Sequence, residues 1–127
     1  MKLMALAVLY VGIGYSQSDE CDTLDKCREA VKTNRRSSLL NFRIGEIYFK
    51  QGDYLNSASE FRATLILKLQ PKWTEVWAHI NLGRVFDLNN QRDLALNEYR
   101  LALKTKDNTR GALDEARKYT ETPYRPN

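Results

Sequence analysis

Histidine occurs once in these 127 residues, cysteine twice and proline three times. One histidine, His79, cannot build a metal site alone, and two cysteines would need carboxylate partners at a spacing the chain does not offer. No metal and no cofactor is expected. Glycine and proline are scarce between residues 22 and 109, and no stretch alternates apolar with polar residues, which argues against strands. A strong charge of one sign is also lacking. Twenty basic against sixteen acidic residues leave +4, spread along the chain rather than gathered, so nucleic acid is not expected as a partner. No long apolar run is present either. Leu3 to Val11, continued by Gly12-Ile13-Gly14-Tyr15, is too short to cross a bilayer comfortably, since a spanning helix needs about 20 residues.

That run, behind the positive start Met1-Lys2, has the make-up of a secretory signal. Gly14, Ser16 and Ser18 are the small residues that cleavage requires, after Ser16 or after Ser18. Residues 1–18 are therefore expected to be a signal peptide, with an uncleaved membrane anchor as the alternative, and the rest to be exported to the periplasm or outside the cell. The sequence before Cys21, Ser18-Asp19-Glu20, does not suit lipid attachment.

The remainder reads as helices. Expected spans are Thr23–Thr33, Ser38–Lys50, Tyr54–Leu69, about Lys72–Leu88, Arg92–Lys104 and about Thr109–Tyr119. Ser37 or Ser38 supplies an N-cap, Gly52 a C-terminal stop, and Asn89-Asn90 a turn tolerant of left-handed dihedrals. Pro71 closes the third helix from behind and is tolerated in the first turn of the fourth. Pro123 and Pro126 are expected to end the order, leaving 19–122 as one helical domain and 123–127 as a disordered tail. Short linkers imply antiparallel neighbours.

Part of the chain is repeated. Ile44-Gly45-x-x-Tyr48, then Ser57 and Glu60-Phe61-Arg62, corresponds at an offset of 38 residues to Leu82-Gly83-x-x-Phe86, then Ala95 and Glu98-Tyr99-Arg100. Gly45 and Gly83 remove a side chain where a partner helix must approach, and Phe61 and Tyr99 are placed to cover the gap. Repeats of this length made of two helices stack into arrays, which generally bind other molecules.

With Gly52-Asp53-Tyr54, Ala95-Leu96 and Ala102-Leu103 added, these motifs resemble the tetratricopeptide repeat over about residues 38–105, with partial matches out to 23–120. The resemblance implies an all-α fold: two antiparallel hairpins stacked as a short right-handed solenoid, with half-repeats at both ends. The period of 38 exceeds the family's 34, read here as half a turn added to the end of the third helix and to the start of the fourth. The resemblance also implies a concave groove lined by Leu39, Phe42, Glu46 and Phe49 in the first copy and Trp77, Ile80, Arg84 and Asp87 in the second. Phe42 and Glu46 stand where the family's terminal-carboxylate clamp needs basic or amide groups, which excludes that ligand. Trp73 and Trp77 fall on one stripe with Ile80. Trp73 is read as core, while Trp77 fits core and groove equally.

Cys21 and Cys27, six apart, would point away from one another in a continuous helix. If the helix begins at Asp22 or Thr23, Cys21 lies outside it and can fold back onto Cys27. A disulfide clasp and a pair of free thiols both remain open. Glu46, Asp87, Asp93 and Glu98 show no acid–base arrangement beyond the solvated face of a helix, and Asp107–Gly111 lacks the ligand pattern of a calcium loop. The expected function is a non-enzymatic module that binds a protein or peptide in its groove. The alternative is self-assembly through Trp73, Trp77 and the end of the last helix.

Overall fold

The computed structural model describes residues 21–126, so the apolar segment 3–15 and the cleavage positions after Ser16 and Ser18 lie outside the described residues. The described residues form six α-helices and no strand: α1 Leu24–Thr33, α2 Ser38–Lys50, α3 Tyr54–Ile66, α4 Thr74–Leu88, α5 Arg92–Lys104 and α6 Ala112–Glu121. A short 3₁₀ turn, Thr109–Gly111, precedes α6. Among the described residues no helix is long and apolar enough to cross a membrane.

Local chemistry explains the boundaries. Thr23, Ser37 and Asp53 cap α1, α2 and α3 through side-chain oxygens that accept from the amides of Lys26, Leu40 and Asn56. The α2 C-terminus closes with Gly52 at φ 76°, its amide bonded to the Phe49 carbonyl and that of Asp53 to the Tyr48 carbonyl. The same pair of bonds recurs 38 residues later, where Asn90 at φ 58° takes the place of glycine and Gln91 that of Asp53. One expectation changes. The residues that lengthen the repeat do not extend the helices: α3 stops at Ile66 and α4 begins at Thr74, leaving 67–73 as a loop. Leu67 is extended, and Ser38 Oγ holds the loop by donating to the Gln70 carbonyl and accepting from its amide, at 2.9 and 3.0 Å. Likewise α6 starts at Ala112 rather than Thr109, because Arg110 and Gly111 both take positive φ.

Adjacent helices pack in pairs, α2 on α3 and α4 on α5 most extensively, with α3 also on α4 and α5 on α6. The two leading pairs share the contact at their crossing. A Cβ built on Gly45 would lie 2.7 Å from the Phe61 ring, and one built on Gly83 would lie 2.7 Å from two atoms of the Tyr99 ring. The aromatic of α3 or α5 thus occupies the space that the glycine of α2 or α4 leaves open. One turn earlier in α2, Asn41 donates to Glu60 at 2.9 Å, and its equivalent in α4, His79, meets Glu98 at 2.7 Å. The glycine, the aromatic ring and the glutamate of these crossings are thus positions at which the sequence recurs.

Two apolar clusters result. One joins Phe42, Ala58, Phe61, Ala78, Leu82 and Val85 from α2, α3 and α4. The other joins Val76, Ile80, Ala95, Tyr99, Ala102, Ala112, Ala116 and Tyr119 from α4, α5 and α6. Trp77 and Phe86 pack against both, so α4 is the shared wall.

Candidate functional site

Two adjoining cavities open beside α2, with α4 and the turn before α6 completing their walls. The smaller, about 320 Å³, has Phe42 and Phe61 in its lining together with Glu46, Phe49, Lys50, Trp73, Trp77, Asn81, Arg84 and Arg110. The larger, about 760 Å³, is lined by Leu39, Arg43, Glu46, Trp73 and Arg110, among others. Of the eight residues expected in a groove, Leu39, Phe42, Glu46, Phe49, Trp77 and Arg84 line these cavities. Phe42 does so only at depth: it is 2 % exposed, with its ring 5.5 Å from Phe61 and 5.3 Å from Trp73. Ile80 is fully buried, because α6 covers its side of α4 with Ala112 and Ala116. Asp87 is also buried and lines neither cavity.

Trp73 ends the loop before α4. Its indole lies edge-on to Phe42, and the guanidinium carbons of Arg43 and Arg110 sit 5.8 and 4.8 Å from its ring. The Trp77 indole nitrogen donates to the Thr109 carbonyl at 2.9 Å, which ties α4 to the turn before α6. Trp77 is therefore both packed against the two clusters and part of the cavity wall.

Arg84 organises the far end. Its guanidinium donates to Asn81 at 2.8 Å and to Glu115 at 3.2 Å, and lies 5.7 Å from the Trp77 ring and 5.3 Å from each of Tyr119 and Tyr124. Burial, then Glu115, pushes the Tyr119 hydroxyl above the ordinary tyrosine value.

Asp87 anchors the same end. One Arg92 nitrogen lies 3.0 Å from both of its oxygens, the Tyr99 hydroxyl donates at 2.8 Å, and the Tyr124 amide donates at 2.9 Å. These partners satisfy a charge that would otherwise be costly to bury. Arg92 also donates to the carbonyls of Tyr119 and Thr120, supplying a cation to the C-terminal end of α6. In the first helix pair the positions equivalent to Asp87 and Arg92 hold Phe49 and Tyr54, whose rings lie 5.3 Å apart. An aromatic pair in one copy is an ion pair in the other.

The tail differs from expectation. Tyr124 folds back, with its ring 6.1 Å from Phe49 and 5.4 Å from Tyr119 and its amide on Asp87. Buried Asp87 offers an acceptor and the aromatic edge offers a seat, which together outweigh the disordering effect of two prolines. Sequence reasoning missed Asn81, Tyr119, Glu115 and Arg110 as neighbours of the groove. Applying the offset of 38 once more would have found two of them, since it carries Trp77 onto Glu115 and Asn81 onto Tyr119. No sequence signal marks Arg110, which the 3₁₀ turn brings over Trp73.

Cys21 and Cys27 are joined in a disulfide, with Cα atoms 5.0 Å apart. Cys21 lies ahead of the Thr23 cap and Cys27 is fully buried in α1. Among the described residues no group of three histidine, cysteine or acidic side chains is placed to hold a metal. No protein-family model, no curated protein and no solved structure matches this chain.

Proposed function

We propose that this protein is a non-enzymatic binding module, a short tetratricopeptide-like stack that receives a peptide segment of a partner protein between α2, α4 and the turn before α6. The observation that carries this reading is an aromatic cavity rimmed by unpaired positive charge. Arg43 is neutralised by Glu46 at 2.8 Å and Arg84 by Glu115, whereas Lys50 and Arg110 make no ion pair among the described residues. A segment with an apolar or aromatic side chain for the Trp73–Trp77 wall and a carboxylate beside it complements that surface. Aromatic and arginine side chains are the usual energetic centre of such contacts.

The test is selection from a random peptide library on the intact protein, repeated on the exposed double variant Lys50→Glu/Arg110→Glu. Enrichment of acidic residues next to apolar ones, lost in the variant, supports the reading. No enrichment, or the same peptides on both proteins, overturns it. Self-assembly is the second reading, and one observation favours it: Leu55 and Ile66, 82 % and 84 % exposed, share a face of α3. Sedimentation over a range of concentrations, without peptide, separates the two. We place the protein in an exported compartment, supported by the apolar N-terminal segment and by a disulfide of a kind that persists where thiols are oxidised.

A further inference from the structure

We infer that the end of the groove formed by Phe49, Arg84, Asp87 and Tyr119 is a recognition site for an aromatic residue in an extended peptide, and that the chain's own Tyr124 occupies it as a tethered stand-in for a partner's residue. This rests on the groove reading above and names a second anchor for the same ligand.

Three features distinguish the docked tail from simple packing. The backbone enters extended, with Thr122 at φ −131° and ψ 126° after α6 has ended. Its contact with Asp87 is made by a main-chain amide at 2.9 Å, which any residue except proline supplies. Specificity then falls to the side chain, and the Tyr124 ring meets Phe49, Tyr119 and the Arg84 guanidinium, all of which favour an aromatic. The site is also contiguous with the smaller cavity, since Phe49 and Arg84 line both. A peptide seated against Trp73 and Trp77 and running toward α6 reaches the place that Tyr124 holds.

Tyr124 remains only partly buried, and Arg125 and Pro126 beyond it are exposed. The tail is thus held by one amide and one ring. Being tethered, it competes at an effective concentration in the millimolar range, so a partner must bring further contacts to displace it. The Trp73–Trp77 wall and the Lys50 and Arg110 charges are positioned to provide them.

The experiment uses a fluorescent hexapeptide with the sequence of residues 122–127 and a control in which its tyrosine is alanine. Each is titrated by anisotropy against the full chain, against Tyr124→Ala and against Tyr124→Phe. The expected result is saturable binding of the tyrosine peptide to Tyr124→Ala, at least tenfold tighter than to the wild type, with no binding of the alanine peptide. Tyr124→Phe keeps the ring and should resemble the wild type. Equal binding to all three proteins, binding independent of the peptide's tyrosine, or no saturable binding overturns the inference. So does a cooperative loss of fold in Tyr124→Ala, which would make the tail part of the core. A wild-type mass that rises with concentration and falls to a monomer in Tyr124→Ala would give the site to a second copy's tail and overturn the partner assignment. All these failures leave the library result at Lys50 and Arg110 unaffected, so the two readings fail separately.

Discussion

Asp87 ties α4 to α5 and to the segment after α6, because four donor contacts from three residues converge on it. Tyr99, one of its donors, is fully buried, and burial first, then the bond to Asp87, drives its hydroxyl well above the ordinary value of 10.0. A tyrosine whose pKa is raised on folding stabilises the fold fully below its unfolded value and progressively less above it. Stability should therefore fall as pH rises beyond about 10, and Tyr99→Phe should flatten that fall. At neutral pH the same change removes one donor from a buried carboxylate and should cost about 1–3 kcal/mol in urea unfolding. Trp77 is the other residue at which a single substitution separates two expectations. It packs against both clusters and hydrogen-bonds through its indole nitrogen, so Trp77→Ala should destabilise by about 3–5 kcal/mol. Trp77→Phe should cost less, and a small effect in the alanine variant would assign the ring to the groove alone.

At the scale of the element, the helix crossings are set by glycine against an aromatic ring. Gly83→Ala puts a methyl group 2.7 Å from atoms of a ring that is itself enclosed, so α4 and α5 must separate or Tyr99 must leave Asp87. The expected loss is roughly 1–3 kcal/mol by thermal unfolding, although alanine is the better helix former by about 1 kcal/mol. Gain of stability would show that the crossing is not tightly packed. The α1 element depends on a different device. It packs chiefly on α2, and the disulfide fixes its first turn. Alkylation of unreduced protein should label neither cysteine. Reduction should cost about 2 kcal/mol, as expected for so small a loop, and raise amide exchange in 24–33 while leaving α4 and α5 protected. Two labelled thiols would remove the bridge from the account.

For the whole molecule, the N-terminal segment makes a definite prediction. Protein recovered from the exported fraction should begin at Gln17 or Asp19, and N-terminal sequencing that returns Met1 from a membrane pellet would favour the anchor instead.

The helical class and most helix limits were legible in the sequence because they depend on local chemistry. The cap at Ser37, the stop at Gly52, the Asn89-Asn90 turn and the paired motifs around Gly45 and Gly83 act within a few residues of themselves, and α2 and α5 begin and end where they were expected. The glycine–aromatic crossings were legible too, since the repetition of the motif reported them twice. Tertiary structure decided the rest. Ile80 has the right spacing to face a groove, yet α6, more than thirty residues away in sequence, buries it. Residues 67–69 and 72–73 are loop where helix was expected, and Ser38, from α2, holds the backbone of Gln70 between them. Tyr124 docks rather than wanders because Asp87, Phe49 and Tyr119 meet only in the folded chain. Periodicity places a residue on a face of its own helix, whereas what covers that face is fixed by segments distant in sequence, through contacts that leave no local signature.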